Sequence, residues 1–173
     1  MPERVYNVLF LCTGNSARSI LAESILNRDG RGRFRAFSAG SFPKGEVHSR
    51  TLELLTSLEF PTDDVRSKSW DEFTGPDAPV FDFIFTVCDN AAGETCPVWP
   101  GHPMTAHWGI EDPAALESEG QREAFVRALH SLRNRIAMFT ALPLSSIDEM
   151  ALESRLRQIG QIEGSTSPRS DVA

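Results

Sequence analysis

The stretch "VLFLCTGNSARSILAESIL", Val8–Leu26, ends an apolar run on a thiol, Cys12, and sets a guanidinium, Arg18, one short loop later. The run "VYNVLFL", residues 5–11, is short, apolar and rich in β-branched and aromatic residues, and Thr13-Gly14-Asn15 stop it soon after, so it reads as a buried strand. Cys12 sits at its carboxyl end. From Ser16 or Ala17 the period becomes helical, with Ala17, Leu21 and Ile25 on one face and Ile20 beside them, ending near Asn27–Gly30. The product is a strand, a tight loop and a helix.

The same alternation continues outward. "RFRAFSAG", residues 33–40, reads as a second strand, and Thr51, Leu54, Leu55 and Leu58 mark an amphipathic helix. "VFDFIFTVC", residues 80–88, reads as a third strand that also runs into a cysteine, and "PMTAHW", residues 103–108, as a short fourth. Phe125, Leu129, Leu132, Ile136 and Phe139 trace a long helix broken by Pro143. Capping boxes from Ser145 to Asp148 or Ser146 to Glu149 would open a last helix containing Ile147, Met150, Leu156 and Ile159. Residues 1–163 are expected to form one domain and 164–173 a disordered tail. Strands alternating with helices predict an α/β fold, a small four-stranded parallel sheet with helices on both faces. Ligands of such sheets collect outside the carboxyl ends of the strands, where Cys12 and Cys88 would meet.

Composition narrows the function. A formal charge of −7 and pI near 5.1 argue against a general nucleic-acid binder, so any anion has to be caught locally. No apolar run reaches the roughly 18 residues of a membrane span, and the first residues lack a secretory pattern, which predicts a cytoplasmic protein. Three cysteines, Cys12, Cys88 and Cys96, are an odd set for a static disulfide framework.

The loop after Cys12 has a chemistry of its own. Backbone N–H groups leading into a helix converge on one point, and the helix N-terminus adds partial positive charge, so a tetrahedral oxyanion or a thiolate is favoured there. A cysteine of ordinary pKa about 8.5 is expected to fall below that beside Arg18 and become a nucleophile. Gly14 gives the loop freedom, and Asn15 tolerates left-handed backbone. Arg18 offers a planar fork to two oxygens of phosphate or arsenate, and the hydroxyls of Ser16 and Ser19 can reach the sulfur. The anion cradle is therefore Thr13, Gly14, Asn15, Ser16, Ala17, Arg18 and Ser19.

"CTGNSARS" has the Cys-x5-Arg-Ser form of the low-molecular-weight tyrosine phosphatase superfamily, and "VLFLCTGNSARSILAE" resembles its arsenate reductase branch. "SAG" at 38–40, "FTVCDNAAGETCPVWPG" and "HWGIEDPA" are similar to that branch in the same order, so the resemblance spans roughly residues 5–140. It implies a phosphatase-like fold and arsenate reduction in arsenic detoxification. Cys12 would attack arsenate, Asp112 would act as general acid, Cys88 would resolve the adduct, and Cys96 would take the disulfide to the surface. No tightly bound cofactor is implied. The electrons would come from thioredoxin or, because the "AAGET" insert spaces Cys88 and Cys96 more widely than in relatives, from glutaredoxin with glutathione. Phosphate and sulfate would compete, and the protein would be a monomer. No metal is expected, although part of the branch holds a cation at positions matching Asn15, Glu23 and Ser38. Ala17 stands where some relatives have another cysteine.

Two rival readings stand beside this one. A tyrosine phosphatase would use Cys12, Arg18 and Asp112 through a phosphocysteine, but Ala114-Ala115 follow Asp112-Pro113 where such enzymes carry aromatic residues. A metal or arsenite sensor would use Cys88, Cys96, His102 and His107, at a spacing unlike that of structural zinc sites. His102 and His107 are otherwise loop-packing residues.

Overall fold

Four parallel strands in the order β2-β1-β3-β4 form the centre of the computed structural model, which describes residues 4–88, 99–116, 119–162 and 165–166. They are β1 (Tyr6–Cys12), β2 (Phe34–Gly40), β3 (Phe83–Thr86) and β4 (Met104–His107). The four-stranded parallel sheet is the one expected from the sequence. β3 is shorter than expected, although Asp82 N–H bonds to Asn7 O at its entry and Val87 N–H to Leu11 O at its exit, so the β1 pairing reaches one residue past each end. Side chains alternate across β1: Val8, Phe10 and Cys12 face one core cluster, Leu9 and Leu11 the other, and all five are buried. A strand buried on both faces is why its sequence is apolar without alternation.

The first face is covered by α1 (Arg18–Asp29), α3 (Gln121–Thr140) and α4 (Glu149–Gly160), with α2 (Ser49–Ser57) packed on α1 and α3. Here Phe85 stacks on Trp108 with ring centroids 3.8 Å apart, and Phe139 meets both edge-on. On the opposite face, the helical cover among the described residues is the 3-10 turn Trp70–Phe73, with Phe37, Phe73 and Phe81 mutually edge-to-face and Trp99 edge-to-face with Phe81.

Two expectations at the carboxyl end need correction. Neither serine capping box opens α4; Asp148 is its cap, accepting from Ala151 N–H at 2.8 Å. The serines are consumed upstream, because Ser146 and Ile147 N–H both turn back onto Pro143 O. Ser165–Thr166, inside the stretch expected to be disordered, form β6 and pair antiparallel with β5 (Gly109–Ile110). The remaining tail residues lie outside the described ones. None of the described helices is long and apolar enough to cross a membrane.

β1 and β3 are the adjacent strands at which the chain order of the sheet reverses. Their carboxyl ends open the crevice where doubly wound sheets bind ligands, and these ends carry Cys12 and Cys88.

Candidate active site

Cys12 is the last residue of β1 and Arg18 the first of α1, so the loop between them is what a strand and a helix leave when they meet at close range. Its carbonyls are turned outward and held. Thr13 O accepts from Phe42 N–H, Gly14 O from Lys44 N–H and the Ser67 hydroxyl, and Ser16 O from His48 N–H and the Thr51 hydroxyl. With these oxygens fixed on the outside, the loop's amide edge is left for the concave side, as in an anion nest.

Asn15 is the pivot. It is wholly buried and takes the left-handed backbone anticipated for it, at φ 46°. Its Oδ1 accepts from Lys68 N–H at 2.8 Å and its Nδ2 donates to the Ser19 hydroxyl at 2.8 Å, so its amide is locked from both ends. Ser19, whose hydroxyl is expected to be able to reach the sulfur, accepts the Asn15 bond through its oxygen and keeps its own proton to donate. Gly40 of β2 lies so near the loop that a Cβ there would stand 2.4 Å from Thr13 O and 2.8 Å from Cys12 O, which excludes any larger residue.

Arg18 donates through Nη1 to Ile110 O at 2.9 Å, and its Nη2 lies 3.8 Å from Asp112 Oδ2. Asp112 also accepts from Ala114 N–H through Oδ1 at 3.0 Å, capping the 3-10 turn Pro113–Ala115. The ordinary role of an aspartate before proline and a role facing Arg18 are thus divided between its two oxygens. Cys12, residues 13–18, Phe42, Lys44, Cys88, Asp112 and Ala114 enclose a cavity of about 190 Å³. That is below the ~300–1,000 Å³ usual for organic ligands and suits a small oxyanion.

Cys88 is inside this site. Thr13 N–H donates to its sulfur at 3.3 Å, and the Thr13 hydroxyl lies 3.6 Å from it. Both are reduced thiols, and both are buried. The hydrogen bond from Cys88, and then burial, push the Cys12 thiol well above its ordinary pKa, while the Arg18 charge and Thr13 N–H pull it down. The depression expected from the loop and Arg18 is therefore outweighed in the reduced pair, because a second buried thiol stands beside Cys12.

Of the positions at which the resemblance allowed a cation, Glu23 and Ser38 lie beside an ammonium, and Asn15 bonds to the backbone N–H of the same lysine. Lys68 Nζ lies 3.3 Å from Ser38 Oγ and 3.8 Å from Glu23 Oε2, and donates to Arg66 O at 3.0 Å. Burial raises the Glu23 pKa and lowers that of Lys68, and each charge opposes the other's shift. Among the described residues no cluster of His, Cys, Asp or Glu could hold a metal. The sensor arrangement also fails on topology. His102 precedes β4 at the amino end of the sheet, whereas Cys88 follows β3 at the carboxyl end, a strand length of roughly 15 Å away. His107 instead bonds to the Thr86 hydroxyl at 2.7 Å. Cys96 lies outside the described residues.

Sequence reasoning missed Gly40, Phe42, Lys44 and Lys68 as parts of the site. Phe42 is 74% exposed and lines the cavity together with Ala114. Gly40 ends β2, and the other three reach the loop from the turns after β2 and before Trp70.

The family described as Low molecular weight phosphotyrosine protein phosphatase matches residues 7–150. The chain is 34% identical over 120 residues to arsenate reductase 1 of Staphylococcus saprophyticus, covering 66% of this chain and 85% of that protein. With the arsenate reductase of Bacillus subtilis the identity is 30% over 134 residues, 76% of this chain and 93% of that one. Among solved structures, the arsenate reductase of Archaeoglobus fulgidus superposes with a TM-score of 0.57 at 28% identity, over 75% of this chain and 98% of that one. The thioredoxin-dependent arsenate reductase of Corynebacterium glutamicum superposes with a TM-score of 0.58 at 24% identity, over 84% of this chain and 66% of that one, and shows shared fold.

Proposed function

The chain belongs to the low molecular weight phosphotyrosine protein phosphatase family, and we propose that within it this protein is an arsenate reductase using a relay of Cys12, Cys88 and Cys96. The observation that carries the reading is the Cys88 sulfur seated on the anion loop, 3.3 Å from Thr13 N. A phosphatase that hydrolyses its phosphocysteine with water has no use for a second thiol there.

The arriving arsenate dianion is a base and takes the Cys12 proton. The Cys12 sulfur then forms a bond to arsenic, held by the loop amides and the Arg18 fork, and the departing oxygen leaves as water with a proton from Asp112. Cys88 attacks the Cys12 sulfur as its proton passes to an arsenic-bound oxygen. The sulfur–arsenic bond breaks with its electron pair going to arsenic, which falls from the +5 to the +3 state and leaves as arsenite, while two thiols become the Cys12–Cys88 disulfide. Cys96 then attacks Cys88, freeing Cys12 and moving the disulfide to Cys88–Cys96. An external dithiol, thioredoxin or glutaredoxin with glutathione, restores both thiols. This cycle needs a reducing compartment, consistent with a cytoplasmic protein.

A single-turnover reaction of fully reduced protein with arsenate and no reductant tests it. One arsenite per chain and a Cys88–Cys96 disulfide are expected. A second reading, aryl phosphate hydrolysis, is favoured by Phe42, an exposed ring that lines the cavity and is able to lie against an aromatic leaving group. Three intact thiols with steady aryl phosphate turnover would establish that reading and overturn the first.

A further inference from the structure

The matched family segment ends at residue 150, yet the chain continues through nearly all of α4 and into β6. We propose that this carboxyl-terminal segment is part of the anion site's machinery: by bracing Trp108–Ile110 it positions Arg18 and Asp112. The inference rests on reading Arg18 as the anion clamp and Asp112 as the acid.

Ile110 is where the contacts converge. Its carbonyl receives Arg18 Nη1 at 2.9 Å, and its N–H donates to Val87 O at 3.3 Å, one residue before Cys88. Asp112 follows two residues later. The strand bearing Ile110 has only two residues, and its ladder partner is Ser165–Thr166: Ile110 pairs with Ser165 and Gly109 with Thr166. α4 holds the residues immediately upstream. Trp108 Nε1 donates to Leu156 O at 3.0 Å, and Trp108 is wholly buried. Gly160 lies against the same peptide, so that a Cβ there would stand 2.2 Å from His107 O. The segment 107–110 is therefore held by the extension from below and at its edge, while its far side holds the guanidinium.

A guanidinium bound at one nitrogen to a fixed carbonyl keeps its plane, and a bidentate clamp loses most of its value when that plane swings. If the extension fixes the carbonyl, anion binding and β5–β6 pairing must favour each other by the same factor, since coupling between two sites is reciprocal.

The first measurement uses the unaltered protein. Amide hydrogen exchange with and without saturating inorganic phosphate should show slower exchange at 108–110 and at 165–166 when the anion is bound. Protection confined to residues 12–19 would overturn the proposal. The second uses the full-length double variant Ser165→Pro/Thr166→Pro, which cannot complete the ladder, with Trp108→Phe as a milder lesion from the α4 side. Each should weaken phosphate binding and raise the arsenate KM by about ten-fold, within the usual range of such couplings, with a smaller fall in kcat. Unchanged phosphate affinity in Trp108→Phe and in the double proline variant would sink the idea. Phosphate affinity reads the brace whether or not the unaltered protein makes arsenite, so failure of the reductase reading is scored separately.

Discussion

Thr13 N–H points at the Cys88 sulfur across 3.3 Å, although Cys88 arrives on a different strand from the loop that begins at Thr13. Val87 N–H bonds to Leu11 O, which extends the parallel register of β1 and β3 until the two strands deliver their thiols to one place. The hydrogen bond between the thiols is the first cause of the raised Cys12 pKa.

Cys88→Ala removes that cause. Burial alone then opposes Arg18 and the Thr13 N–H, so the Cys12 pKa falls and its thiolate fraction at a given pH rises. Site-resolved iodoacetamide labelling should show Cys12 of the variant alkylated faster at neutral pH, with the half-maximal rate at lower pH than in the unaltered protein. The same variant should release no arsenite. An unmoved or upward-moved labelling profile would show that Cys88 does not set the Cys12 proton affinity.

Gly40→Ala tests the outer wall of the loop. Its Cβ would stand 2.4 Å from Thr13 O, a contact with backbone that no side chain can relieve by rotating. The loop must shift, and a misplacement of about an ångström costs on the order of 100-fold in kcat/KM. Phosphate affinity, by calorimetry, should fall in parallel, and a variant retaining both would mean that β2 and the loop part freely.

Much of this was legible in the sequence. The fold followed from Val8–Leu26 because a strand buried on both faces and an amphipathic helix have different periods, and "CTGNSAR" sits where one period gives way to the other. Asn15 was legible because few side chains tolerate positive φ. Lys44 and Lys68 were not, since each reaches the loop from a turn whose path depends on tertiary packing. The β5–β6 pairing was hidden for another reason: a two-residue ladder with Gly109 and Ser165 carries no hydrophobic alternation. The raised Cys12 pKa needed the distance to Cys88, which no spacing along the chain encodes.

Lys68→Met leaves the Glu23 carboxylate in its buried position without the ammonium beside it. Breaking a buried pair by removing one partner costs about 3 kcal/mol or more at pH 7. Glu23 already has a raised pKa in the fold, first from burial, and loss of Lys68 raises it further. A raised carboxyl binds its proton more tightly folded than unfolded, so its effect on stability is most favourable below the unfolded value of about 4.3 and is lost as pH climbs through the folded one. Urea midpoints should show the variant's deficit growing from pH 5 to pH 7.5. A deficit independent of pH would mean that Glu23 is not the group left exposed to the loss.

Cys96→Ser separates the two halves of the relay. In the proposed relay, arsenite formation would require Cys12 and Cys88, whose sulfurs are already in one site, whereas renewal of Cys12 would require a thiolate to attack Cys88 afterwards. The variant should release about one arsenite per chain in a burst and then stop, with mass spectrometry finding Cys12 and Cys88 joined. Continued turnover on addition of thioredoxin would show that the Cys12–Cys88 disulfide is itself open to the external dithiol, and would remove Cys96 from the mechanism. Because Cys12 and Cys88 are both buried, that disulfide is out of reach of a second protein unless the site opens, and this burial is the physical case for a third thiol.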